Sequence, residues 1–230
     1  MLGYGTHVEP TTRHAHMLCA SQVSDKTHPD WVAVLDSGST PMKIFVCSRR
    51  AIEHSGPFTV PHLFISIRTP GDPNEAKLPV NDLTRGVLRM EFHDLDRVPE
   101  RPIPLIGVPA DSWVARNAPT PETLFNPERA VQVLDFVRPH VDQKRALRAS
   151  GLGHTAVRAI IVHCDAGWSR SPAVAAALTK TLLGQDDTHW FKAKSPNMLV
   201  YRTLLTVYYD STSGVLHAPR VAAATSTRRP

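Results

Sequence analysis

Three cysteines in 230 residues, Cys19, Cys47 and Cys164, are too few and too irregularly placed for a disulfide framework or a thiolate zinc site, and no CxxC pair occurs. Free thiols in a reducing compartment are the expectation. Long apolar runs are also missing: Ala159 to Val162 and Ala173 to Leu178 fall far short of the roughly 18 to 20 residues that a membrane-spanning helix needs. The N-terminus has no basic stretch leading into an apolar core, as a secretory signal would. A soluble, cytoplasmic protein without a membrane partner is therefore expected. Aromatic residues make up only 7%, and no dense Lys/Arg run is interleaved with them, so a nucleic-acid partner is not supported even at a net charge of +5. That mild basic excess suits an anionic substrate without identifying one. His14 and His16 lack a third ligand, so neither a metal nor another cofactor is expected.

What the chain does have is an ordinary globular composition, 42% hydrophobic and 20% charged, at a length that suits one domain. Residues 1–41 show no sustained period and read as an N-terminal extension, although Trp31 to Leu35 has the makings of a short strand. The folded domain is expected over 42–210, with 211–230 as a flexible basic tail. Lys43 to Cys47 predicts a strand, and Ser48 a cap for a short helix over Arg49 to His54. His62 to Ile67 and Gly86 to Phe92 predict two further buried strands. Six prolines between 97 and 125 make that connection irregular. Asn126 and Pro127 then open a helix reaching about Val137, with Val131 and Leu134 on its apolar face, joined by Ala130 and Val137. Val157 to His163 is the strongest strand pattern, followed after six residues by a helix over Arg170 to Leu183. A last helix is expected from Pro196 to about Tyr208, capped by Ser195. Strands alternating with helices predict an α/β fold, a mainly parallel central sheet with helices on both faces.

Chemistry concentrates in His163-Cys164-Asp165-Ala166-Gly167-Trp168-Ser169-Arg170-Ser171, lying between a buried strand and a helix start. The backbone N–H groups of Asp165, Ala166, Gly167, Trp168, Ser169 and Arg170 can curl around a tetrahedral anion, helped by the positive end of the helix dipole. Gly167 allows the unusual backbone angle such a curl needs, and Arg170 can fold back to offer parallel N–H donors to phosphate oxygens. Cys164 at the floor of this ring of dipoles is favoured as a thiolate. His163 is expected to order the loop through a ring hydrogen bond, and Ser171 to donate its hydroxyl to the sulfur.

This segment resembles the signature loop of the protein tyrosine phosphatase superfamily, HCxxGxxR followed by Ser or Thr, and its Ser169-Arg170-Ser171-Pro172 continuation is similar to the dual-specificity branch. The resemblance is specific over 157–184 and looser over 42–96. It implies a hydrolase of the tyrosine or dual-specificity type, with Cys164 as nucleophile forming a phosphocysteine intermediate and Arg170 binding phosphate. It further implies an aspartate on a separate loop that protonates the leaving oxygen. Phe92-His93-Asp94 has the hydrophobic-x-Asp form seen in that branch, which favours Asp94, with Asp96 two residues on as the alternative and Asp111 a distant third. Trp168 departs from the small aliphatic residue usual at its position and either shapes the pocket rim or packs below the loop.

The partner implied is a phosphorylated protein, carrying phosphotyrosine or phosphoserine/threonine, or another phosphate monoester. The alternatives are a nucleic-acid 5′ end, a nucleotide or an inositol phosphate, or a catalytically silent phosphate-binding module. A loop without lysine disfavours highly charged inositides, and intact Cys164, Arg170 and Ser171 argue against silence. A rhodanese or arsenate reductase fits this loop and its place in the chain less well. Cys47 reads as core, Arg68 as a surface residue and Asn197 as part of a helix's first turn.

Overall fold

The computed structural model describes residues 32–34, 42–99, 112, 117–149 and 156–213. The expectations for His14, His16, Cys19, Asp111 and the C-terminal tail from 214 lie outside these residues, as does most of the N-terminal extension.

Five strands form one sheet: β1 (Val32–Val34), β2 (Lys43–Ser48), β3 (His62–Arg68), β4 (Thr84–Glu91) and β5 (Ala159–Cys164), in the order β1-β2-β5-β3-β4. The last four are parallel, and β1 pairs antiparallel with β2 through Val32 and Val46. The expected α/β class holds. The sheet also takes in three residues from the segment read as an N-terminal extension, where Trp31 to Leu35 had suggested a strand.

Period-two alternation sends side chains to two cores. Ile44 and Val46, Leu63, Ile65 and Ile67, and Ile160, Val162 and Cys164 share the larger one with the helices α2 (Pro127–Ala149), α3 (Arg170–Thr181), α4 (Thr188–Ala193) and α5 (Met198–Thr212). Cys47, Phe64, Ala159 and Ile161 face the smaller one, under the short helix α1 (Arg49–Glu53). Helices thus cover both faces.

Several local expectations shift. β4 was expected to be buried, yet it is the sheet's edge, alternating between exposed and half-buried positions, because no strand lies beyond it. α2 runs through Pro139 to Ala149 rather than ending near Val137, since Val141 still reaches the core and Arg145 donates to the Leu182 carbonyl at 2.8 Å. Its buried stripe is Ala130, Val133, Leu134, Val137 and Val141, while Val131, expected on that face, is 44% exposed. The helical period of Val133, Val137 and Val141 fixes the stripe better than Val131 does. α5 starts two residues later than expected: Asn197, not Ser195, is the cap, its Oδ1 accepting from Val200 N at 3.0 Å. α4 was not foreseen. It is anchored by the fully buried Trp190, whose indole N–H donates to Thr179 at 3.0 Å.

This topology positions the site. The chain lays down β2, skips a place to β3 and β4, then returns to fill the gap with β5. The reversal in strand order leaves a crevice at the carboxyl end of β5, where parallel sheets bind ligands. Cys164 is the last residue of that strand.

Candidate active site

Between β5 and α3 the chain makes one tight curl over Asp165 to Ser169. Gly167 has φ 66°, the left-handed region that L side chains resist. A Cβ there would stand 2.5 Å from the Cys47 carbonyl carbon and the Ser48 nitrogen. The loop can therefore pass over the end of β2 only with glycine at this point.

The curl is held from outside by its carbonyls. Asp165 O accepts from Arg49 N (3.2 Å), Trp168 O from Ser195 N (3.2 Å), and Ser169 O from both Ala173 N (3.2 Å) and Asn197 N (3.1 Å). In a planar trans peptide the C=O and the following N–H point opposite ways. The N–H groups of Ala166, Ser169 and Arg170 therefore face the inside of the curl. A 12-residue helix begins directly after it, adding its positive end. Three of the six amides read from the sequence, those of Ala166, Ser169 and Arg170, are thus turned inward.

Cys164 lies at the floor, 1% exposed, and Ser171 Oγ stands 3.1 Å from its sulfur. Arg170 is almost fully buried. Its Nη1 donates to Phe92 O at 2.9 Å and its Nη2 to Asp165 Oδ2 at 2.6 Å. Its Nε has no hydrogen-bond partner and lies 3.8 Å from Asp94 Oδ2. A buried guanidinium N–H without a hydrogen bond is costly unless an anion completes it. Asp165 Oδ2 accepts from Thr69 Oγ1 at 2.8 Å as well as from Arg170, while its Oδ1 forms an ion pair with Arg49 Nη2 at 2.7 Å without a hydrogen bond. Arg49 is in turn shared with Asp72 at 2.8 Å.

The segment after β4 closes the other side. Phe92 O accepts from Arg170, His93 N donates to Thr123 O at 2.9 Å, and Asp96 Oδ1 accepts from Met198 N at 3.1 Å. Asp94 Oδ1 accepts from Ser169 Oγ at 2.6 Å and from Asn197 Nδ2 at 2.8 Å. The two aspartates that the sequence left open thus differ in place. Asp94 touches the cup, whereas Asp96 binds the first turn of α5. Burial, with Arg170 beside it, lowers the pKa of His93, favouring the neutral ring.

His163 sits on the opposite face of β5 from Cys164, 1% exposed. Burial first, then the Arg49 charge, lowers its pKa from 6.5 to about 4, so the ring is neutral. The loop-ordering hydrogen bond expected of it is not made. The ring nitrogens have no hydrogen-bond partner, and the contact with the Cys164 backbone falls outside good geometry. The ring's place in the strand rung beside Cys47 and Ser66 directs it into the smaller core instead.

Cys47, fully buried on that same opposite face, is core as expected and not a partner for Cys164. Arg68 is engaged by Glu91 and Glu75. Trp168 stands 53% exposed at the rim rather than packing below the loop. Asn197 is the residue whose part the sequence reading missed: 1% exposed, it joins the cup, Asp94 and the start of α5. A Ser-Pro-Asn stretch ahead of an apolar helical run signals the cap, while its reach to Asp94 depends on the tertiary fold. Among the described residues no cluster of three His, Cys, Asp or Glu side chains is placed to hold a metal, and no helix is long and apolar enough to cross a membrane.

No family model and no curated protein matches the sequence. Solved structures similar in fold include the human tyrosine phosphatase-like serine/threonine/tyrosine-interacting protein, at TM-score 0.40 and 16% identity over 74% of this chain and 92% of that one. A mouse putative dual specificity phosphatase complexed with zinc tungstate is similar at TM-score 0.39 and 14% identity, over 83% of this chain and 94% of that one. Human DUSP28 gives TM-score 0.38 and 14% identity, over 80% and 96%.

Proposed function

We propose that the chain is a cysteine-dependent phosphatase that hydrolyses phosphate monoesters through a phosphocysteine intermediate. The observation that carries this reading is the cup itself: inward amides, an Arg170 Nε without a hydrogen-bond partner, and a buried sulfur that accepts from Ser171. A dianionic phosphoryl group satisfies the free donors, and its phosphorus comes to rest over the Cys164 sulfur.

The thiolate attacks phosphorus in line with the ester oxygen, forming the S–P bond as the P–O bond breaks. Asp94, protonated at that moment, gives its proton to the departing oxygen, which leaves as an alcohol or phenol. The same carboxylate then takes a proton from water, whose oxygen attacks phosphorus and releases the Cys164 thiolate. The Ser171 hydroxyl stabilises that thiolate as the S–P bond breaks. Inorganic phosphate is the second product. The amides and Arg170 act throughout as fixed dipoles and charge around the transferring group, which costs no reorganisation during the step.

Phosphotyrosine or phosphoserine/threonine protein is the substrate class proposed, within a cytoplasmic setting. The deciding experiment is Cys164→Ser with an aryl phosphate. Turnover is expected to fall by roughly 10³-fold or more while vanadate binding persists, and acid quench of the parent should trap a phosphoprotein labelled on Cys164. Retained turnover in the variant would refute the covalent route.

A further inference from the structure

Trp168 is a large apolar side chain left exposed at the edge of the site. Large aromatic side chains bury area wherever the fold permits. Here the backbone on either side is pinned, by Gly167 against β2 and by the two bonds to the Ser169 carbonyl, and the indole is left 53% exposed. Its position is nonetheless defined, because the Trp168 carbonyl is held by Ser195 N and the Lys194 ammonium lies 5.0 Å from the ring centroid.

Lys194 is itself 8% exposed, and among the described residues no carboxylate lies within ion-pair distance of it. The indole face is the partner the structure records for this cation. A cation–π contact is strengthened when the cation is shielded from water, so the pair fixes the ring's tilt as well as its place. Lys194 lies over the ring, and much of the residue remains open to solvent.

Ser169, the residue after Trp168, donates to Asp94, so the ester oxygen that Asp94 would protonate lies within one residue's reach of the indole. The group bonded to that oxygen leaves the cup on the side of Asp94. We infer that Trp168, held by Lys194, is the platform that reads this group and selects aryl over alkyl phosphate monoesters, making phosphotyrosine the preferred protein substrate. The inference rests on the phosphatase reading of the same cup. A phenyl ring leaving the phosphate finds a π surface to stack on. The cation over the indole draws electron density from it, which favours stacking of an electron-rich phenoxy ring. A seryl or threonyl methylene chain offers little such area.

The test uses phenyl phosphate and propyl phosphate, equal in charge, binding to the full chain carrying Cys164→Ser, measured by calorimetry. Aromatic contacts of this kind predict a preference for the phenyl ester of roughly five- to tenfold. Adding Trp168→Ala should erase the preference. Trp168→Phe should keep most of it, and Trp168→Leu, which retains apolar bulk without a π face, should not. Lys194→Met should weaken phenyl phosphate binding without weakening propyl phosphate binding. No preference in the Cys164→Ser protein, or a preference that survives Trp168→Ala, overturns the inference. In the catalytic chain, kcat/KM for phosphotyrosine and phosphothreonine peptides of one sequence separates the two claims. Equal turnover of both sinks the platform and leaves the phosphatase standing, whereas selective binding of phenyl phosphate with no turnover of any ester sinks the phosphatase and leaves the platform.

Discussion

His163 makes the fold's stability depend on pH in a calculable way. Its ring is neutral in the folded state because its pKa falls from 6.5 to about 4, by burial first and by the Arg49 charge second. Below pH 6.5 the unfolded chain takes up a proton there that the folded chain refuses, so unfolding gains favour as the pH drops and the loss is complete near pH 4. The interval of about 2.5 units corresponds to roughly 3 kcal/mol, at 1.36 kcal/mol per unit. This is a large share of a typical stability of about 5–15 kcal/mol. His62, His93, His140 and His189 are shifted in the same direction by burial, so the acid sensitivity of the parent protein sums several rings. The measurement that isolates His163 is urea unfolding of parent and His163→Gln across about pH 4 to pH 7. The variant's absolute stability is not the readout; the slope is. Parent stability should fall more steeply below pH 6.5, by close to 3 kcal/mol in total over the interval. A variant that loses stability as steeply as the parent would refute the argument.

Asp94→Asn should slow alkyl phosphates far more than activated aryl phosphates, since protonation matters most for a poor leaving oxygen. Asp96→Asn should leave the alkyl rate close to that of the parent and mainly loosen the first turn of α5, so the reverse pattern would reassign the acid. Gly167→Ala should cost at least ~1–2 kcal/mol from the left-handed backbone alone, more once the clash with Cys47 and Ser48 is relieved, and should abolish vanadate binding, read by thermal unfolding with and without the ligand. Asn197→Ala should lower kcat for unactivated esters about tenfold through the loss of one hydrogen bond to Asp94, with phosphate affinity little changed; an unchanged kcat would show that Ser169 alone suffices to place the acid.

The parts of the fold that follow local rules were readable beforehand. Ser48 caps α1, Ile160 to Val162 make a fully buried strand, and the Gly167 turn with Arg170 opening a helix needs only neighbouring residues to be recognised. Long-range placement was not readable. Nothing in the residues of β4 says that it ends the sheet, and the alternation that betrays it there is broken by Gly86, against which Phe136 packs. Pro139 predicts a stop that the packing of Val141 and Arg145 overrides. At the site the same division holds. Cys164, Arg170 and Ser171 belong to one contiguous motif, whereas the choice between Asp94 and Asp96 depends on Asn197 and Met198, about a hundred residues away in the chain. His163 sits inside the motif, yet its side chain belongs to the far face of the sheet.

The segment from Phe92 to Asp96 is tethered at four successive points, to Arg170, Thr123, the pair Ser169 and Asn197, and Met198. On the proposed mechanism, a proton donor carried on it is held in place before substrate arrives, and binding does not bear the entropy of ordering that segment. The other side of this tethering is selectivity: on the proposed mechanism, moving the segment aside to admit a wider ester breaks the bonds that Asn197 and Met198 make to it at the start of α5.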